Sequence, residues 1–210
     1  GPGLHRALTA LLLLAPETPM LFMGQEFGAS APFLFFADFP AGELARQIHQ
    51  GRKQFLAQFP SYASAGAQAA VADPRDPAVF QRSKIDWSER ERHAEHVRLH
   101  RDLLRLRRED PVIAQQARDR LDGAVIGPAA FVLRYAGKQG DDRLLLINLG
   151  ADCDYRPAPE PLLAPPDGRT WHLLWSSDAP EYGGPGVIEP LTETGWVIPG
   201  ESAALYSVQG

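Results

Sequence analysis

Thr18-Pro-Met-Leu-Phe-Met-Gly-Gln-Glu-Phe-Gly28 runs on through Ala-Ser-Ala-Pro-Phe-Leu-Phe-Phe-Ala-Asp38, and the rest of the chain is read from this segment. Met20 to Met23 is a short apolar run bounded by Pro19 and Gly24. A run of that length between such residues predicts a strand buried on both faces. The polar pair Gln25-Glu26 then falls at the strand's carboxyl end, where parallel sheets and barrels mount ligand-binding groups. Phe27, Phe33, Phe35 and Phe36 follow in or beside one loop. A surface loop with so much aromatic area must pack under something or face a ligand.

Upstream, Leu4 to Ala15 reads as a helix with Leu4, Leu8, Leu11, Leu12 and Ala15 on one stripe, ended by Pro16. Helix, short connection and buried strand make half of a repeating α/β unit. One such strand has no hydrogen-bonding neighbours of its own, so the expectation is that further strands precede Gly1.

Thr18 to Phe27 resembles the eighth barrel strand and following loop of the α-amylase superfamily, glycoside hydrolase family thirteen. Ala31-Pro-Phe-Leu-Phe-Phe-Ala-Asp38 and Arg82-Ser-Lys-Ile-Asp-Trp-Ser-Glu89 are most similar to its trehalose-releasing members, the malto-oligosyltrehalose trehalohydrolases. The strand motif alone fits a glycogen branching enzyme equally. The resemblance implies an α/β plus all-β chain, the C-terminal end of a (β/α)8 TIM barrel followed by an antiparallel β-sandwich. It implies a cytoplasmic retaining glycosidase acting on a malto-oligosaccharide-type substrate supplied by malto-oligosyltrehalose synthase, with no cofactor. The family's nucleophilic Asp, acid/base Glu and assisting Asp lie on strands four, five and seven. No residue here matches those motifs, so no catalytic residue is expected in this chain, and the upstream barrel part of the same enzyme would be its partner. Gln25, Glu26, Phe27 and Phe33 are the expected substrate-binding residues.

Composition limits the alternatives. The 210 residues are 44% hydrophobic and 22% charged, with net charge -5. That is an ordinary globular balance, with no basic surplus for nucleic acid or anionic membrane. Cys153 is the single cysteine, so no internal disulfide can form. The apolar run from Ala7 to Ala15 is too short to cross a bilayer, and Pro16-Glu17-Thr18-Pro19 is no signal-peptide cleavage site.

Further along, Glu43 to Phe59 predicts a helix with Leu44, Ile48, Phe55 and Phe59 on its apolar face. Gly51 shares that face, which predicts a close neighbour there, and Asp38 is expected to cap this helix or bond within its loop. Ser61 to Pro77 reads as a long loop. Ser88, with Glu91 three residues on, predicts the capped start of a helix whose buried side carries Val97, Leu99, Leu103, Leu104 and Leu106. Trp87 beside it fits a hydrophobic staple. His93, His96 and His100 share a helical face, but without a His-Glu-x-x-His pattern they read as exposed imidazoles, and no metal is expected.

After Pro111 the texture changes to short strand-like runs separated by Gly/Pro turns. This predicts an antiparallel sandwich over 111–210, distinct from a barrel part over 1–110. A third function class is therefore a non-catalytic module that supports the barrel or binds glycan. Trp171, Trp175, Tyr182 and Trp196 discriminate: an exposed coplanar pair favours glycan binding, and burial of all four favours a scaffold.

Overall fold

The computed structural model describes residues 1–40 and 42–209. The chain forms two compact units, one of Gly1–Gly28 with Arg90–Gly210, the other of Ala29–Glu89. The change of texture near Pro111 does mark the passage from helices to strands. Packing divides the chain elsewhere, because two helices belong with the sheets.

In the first unit, α1 spans Pro2–Leu14 and α6 Ala94–Glu109. The strands are β1 Leu121–Val125, β2 Ala130–Tyr135, β3 Arg143–Asn148, β4 Cys153–Tyr155, β5 Thr170–Ser176, β6 Leu191–Thr192, β7 Gly195–Ile198 and β8 Ser202–Gln209. They form a five-stranded sheet of order β1-β2-β3-β8-β5 and a three-stranded sheet of order β4-β7-β6, with every pairing antiparallel. The sandwich expected after Pro111 is present. The two shortest strands, β4 and β6, were not among the runs read from sequence.

β3 is the centre of this unit, and all six of its residues are buried. Its side chains alternate across the sheet, as strand geometry requires. Leu145 and Ile147 join Leu13, Leu14, Leu99 and Leu103 on the helical side. Leu144 and Leu146 join Trp171, Trp196, Ile198 and Tyr206 between the sheets. Each Leu so buried contributes about 1.5–3 kcal/mol.

α1 turns a different face inward from the one its leucine stripe suggests. Ala7, Ala10, Leu13 and Leu14 are buried, whereas Leu8 is exposed and, with Leu11, Leu12 and Ala15, lines an open groove. The small residues allow close approach of the helix backbone. The C-terminus of α1 carries no basic residue of its own. Arg107 of α6 supplies one, donating to the carbonyls of Leu13 (2.9 Å), Ala15 and Glu17 (2.8 Å). This satisfies acceptors that a helix end leaves open. Arg107 is therefore buried.

The expected strand at Met20–Met23 is absent. These residues are exposed, Met20 by 87% and Met23 by 63%, and none joins either sheet. The physical reason is the one the sequence raised: no strand within the described residues offers this segment a ladder.

The second unit contains α2 Glu43–Leu56, α3 Ala65–Ala69 and α4 Pro77–Ser83. Ser64 and Asp76 cap α3 and α4, giving short helices to what read as a loop. α2 forms as expected, but Gly42 precedes it with no side-chain cap, so Asp38 does not cap it. Its apolar stripe is not covered: Leu44 is 61% and Phe55 60% exposed. A Cβ on Gly51 would meet nothing within 4 Å, so the expected close neighbour is absent. The unit is held by smaller contacts. Phe36 meets Phe80 edge to face at 5.2 Å, the Arg52 guanidinium lies 4.7 Å over Phe35, and Val79 is fully buried. Trp87 remains 64% exposed.

The helix expected from Ser88 is two pieces, α5 Glu89–Arg92 and α6, parted at His93, whose backbone leaves helical geometry at φ -112° and ψ 43°.

Candidate functional site

Gln25, Glu26 and Phe27 form a single 3-10 turn between two left-handed glycines, Gly24 at φ 84° and Gly28 at φ 60°. Glycine reaches such angles without the strain of a Cβ, so the Gly-Gln-Glu-Phe-Gly spacing itself dictates a tight turn at this point. The Gln25 side chain closes the turn from outside, its Oε1 accepting from the Phe22 backbone N–H at 3.1 Å. The Phe27 ring closes it from inside, with no accessible surface.

The Phe27 ring packs beneath the turn and presents no face to solvent. Gln25 and Glu26 are partly exposed on the same turn. No hydrogen bond or ion pair engages the Glu26 carboxylate among the described residues. Phe33 lies in the second unit and is 64% exposed. The structure thus brings Gln25, Glu26 and Phe27 together on one turn and leaves Phe33 in a separate unit.

Beneath the turn lies a group that the sequence placed on the surface. His93 Nδ1 is 2.8 Å from the Phe27 carbonyl, and His100 Nδ1 is 2.9 Å from the His96 carbonyl. A carbonyl can only accept, so Nδ1 donates in both. His5 of α1 meets His96 edge to face, with centroids 4.8 Å apart, and lies 6.2 Å from His100. His100 is only 3% exposed. Burial is the largest cause of a lowered pKa in His5, His96 and His100. The expectation of exposed imidazoles fails because His96 and His100 lie at helical spacing from the buried Leu99 and Leu103, on the inner face of α6. The sequence signal that remained unused was His5, one turn from the start of the other helix of this core. Among the described residues, no group of three or more His, Cys, Asp or Glu could hold a metal ion.

In the sandwich, Trp171, Trp175, Tyr182 and Trp196 are all buried, at 8%, 8%, 5% and 3% exposure. Trp171 donates its indole N–H to the Leu163 carbonyl at 2.9 Å, and Tyr182 its hydroxyl to Asp102 at 3.0 Å. Their burial favours the scaffold reading over the glycan-binding one. No helix of the described residues is long and apolar enough to cross a membrane.

Comparison with known proteins agrees with these features. Residues 118–205 match a family described as a domain of unknown function, DUF3459. A malto-oligosyltrehalose trehalohydrolase of Deinococcus radiodurans is 44% identical over 154 residues, covering 72% of this chain and 24% of that protein. One of Arthrobacter ramosus is 49% identical over 117 residues, covering 54% of this chain and 19% of that protein. The chain therefore spans about a quarter or less of the curated relatives it matches. Among solved structures, a trehalose-6-phosphate hydrolase of Bacillus licheniformis aligns over 99% of this chain and 39% of its own, with TM-score 0.58 and 14% identity. A catalytic module of a glycogen-degrading pneumococcal virulence factor aligns over 98% of this chain and 30% of its own, with TM-score 0.57 and 16% identity. At these identities the structural likeness speaks for the fold alone.

Proposed function

The chain is a sequence relative of the malto-oligosyltrehalose trehalohydrolases, and on that premise we propose that it is part of a glycosidase that releases trehalose from malto-oligosyltrehalose. The observation that carries this reading is the 44% identity over 154 residues. In the proposal, the whole enzyme cleaves the α-1,4 bond beside the terminal trehalose with retention, through a covalent glycosyl-enzyme intermediate. Met20–Met23 becomes a barrel strand where upstream strands pair with it, which covers its exposed side chains. Malto-oligosyltrehalose synthase supplies the substrate, in the cytoplasm.

Within this reading the chain contributes no catalytic carboxylate. Glu26, partly exposed and free of ion pairs among the described residues, accepts hydrogen bonds from sugar hydroxyls. Gln25 fixes the turn that presents it, and Phe33 offers an exposed ring to a sugar's C–H face. Tight backbone geometry on a turn between two glycines is a means of holding such groups rigidly. The sandwich supports the barrel and does not bind glycan, a role consistent with its four buried aromatics.

The test compares products. The whole enzyme, given malto-oligosyltrehalose, is expected to release trehalose, and given linear glucan to introduce no α-1,6 branches. Branches without trehalose would favour the branching-enzyme alternative instead. The 210-residue chain by itself is expected to release neither product.

A further inference from the structure

We propose that the imidazoles of His5, His96 and His100, packed beside His93, form a proton-operated clasp, which holds the Gln25–Phe27 turn at neutral pH and lets it go on acidification. The geometry carries the inference. His93 donates to the Phe27 carbonyl at 2.8 Å, and the next residue, Gly28, lies against His96, where an added Cβ would be 3.6 Å from the ring. Two consecutive residues of the turn thus rest on two imidazoles of α6. His5 seals the other side of His96 at 4.8 Å, and His93 and His96 are 6.0 Å apart.

Three ring nitrogens in this cluster, His5 Nδ1, His96 Nδ1 and His100 Nε2, are buried without a hydrogen-bond partner. A neutral ring tolerates this at a bare nitrogen. A protonated ring does not, because both nitrogens then carry hydrogens that need acceptors. Protonation would also set like charges side by side at these ring distances.

The surrounding charges do not cancel this. On α1, Arg6 is a further cation, though it is paired with Asp178 at 3.2 Å. On α6, Glu95 favours a charged His96, and on the turn Glu26 favours a charged His100. Burial outweighs both, so His96 and His100, like His5, lie below the ordinary 6.5. A lowered value means the folded state disfavours the proton. The clasp is therefore fully closed above the unfolded value of 6.5 and weakens as pH falls through the folded values.

The turn yields before the helices do. α1 is fastened independently by Arg107, by the Tyr135 hydroxyl on the Leu14 carbonyl at 3.2 Å, and by Arg6 on the Ser177 carbonyl at 2.7 Å. The turn is held by its own short backbone bonds, the Gln25 closure, His93 and the anchoring ring, with no buried charged side chain of its own like Arg6 on α1. Local openings of this kind select the least fastened segment. The consequence for activity rests on the reading of Gln25 and Glu26 as sugar-facing; the clasp itself does not.

The test uses the 210-residue chain without substrate. Histidine ring signals and amide exchange are followed by NMR from about pH 7.5 to about pH 5.5, across the histidine range. The protection factors of the Phe27 and Gly28 amides are expected to fall about tenfold with the midpoint of the His96 ring, while those of β3 stay constant. The double variant His5→Asn with His96→Gln is expected to abolish this dependence. If that variant does not fold, His96→Gln alone serves, and it should raise the midpoint of His5 and weaken the pH dependence of the turn. Turn protection that ignores pH, is lost only together with β3, or keeps its full pH dependence in His96→Gln would overturn the clasp. Activity is not read here, so a working clasp beside an inert Glu26 would fault the sugar-site reading alone.

Discussion

Arg143 on the central strand and Asp110 at the end of α6 form a buried ion pair, Nε to Oδ2 at 2.8 Å, with side chains 7% and 5% exposed. The other carboxylate oxygen accepts from the backbone N–H groups of Val112 (2.9 Å) and Ile113 (3.0 Å). One side chain thus stops the helix, orders the following turn and fixes the helix to the sheet. Asp110→Ala leaves Arg143 buried with only the partly exposed Asp141 as counter-charge. The expected loss is about 3–5 kcal/mol, measured by urea denaturation of the chain. A loss under about 1 kcal/mol would mean that the pair is not buried in solution.

Two glycines should respond oppositely to alanine. Gly51 lies in α2 with open space around its Cβ position, so Gly51→Ala should stabilise the second unit by about 1 kcal/mol. Gly28 holds φ at +60°, so Gly28→Ala should destabilise the turn by about 1 kcal/mol although its Cβ meets only ordinary contact with His96. Thermal unfolding of the two variants checks both signs.

The alkaline limb of stability should belong to the buried tyrosines. Burial and a hydrogen bond to Glu189 raise the Tyr206 hydroxyl, and burial raises Tyr135 and pushes Tyr182 up to about 12. A folded value above the unfolded 10.0 gives stability that is whole below 10.0 and is lost as pH rises from there through the folded value. Tyr206→Phe should flatten the decline of the denaturation midpoint above about pH 10, and an unchanged slope would remove Tyr206 as its source.

Much of this architecture was legible because its signals are local. The continuous apolar runs at 130–135 and 143–148 gave β2 and β3 to the residue, since an interior strand covered on both sides is apolar on both faces. β4 and β6 escaped because two or three residues carry no periodicity. Met20–Met23 failed for the opposite reason: its pattern is strong, but a strand exists only with a neighbour. The burial of Arg107 was not legible because long-range hydrogen bonds to α1 leave no trace in local spacing. The turn was missed because Gln25 and Glu26 were read as the end of a strand, although Gly24 and Gly28 flank it. The histidines of α6 were legible as a set, but the spacing that sets His96 and His100 beside the buried Leu99 and Leu103 was not used.

The proposed function turns on whether Glu26 faces the sugar. The decisive measurement is kcat/KM for trehalose release by the whole enzyme carrying Glu26→Gln, with its thermal unfolding as control. A sugar-facing Glu26 gives a fall of at least about tenfold with unfolding unchanged. An unaltered kcat/KM in a folded variant would contradict it.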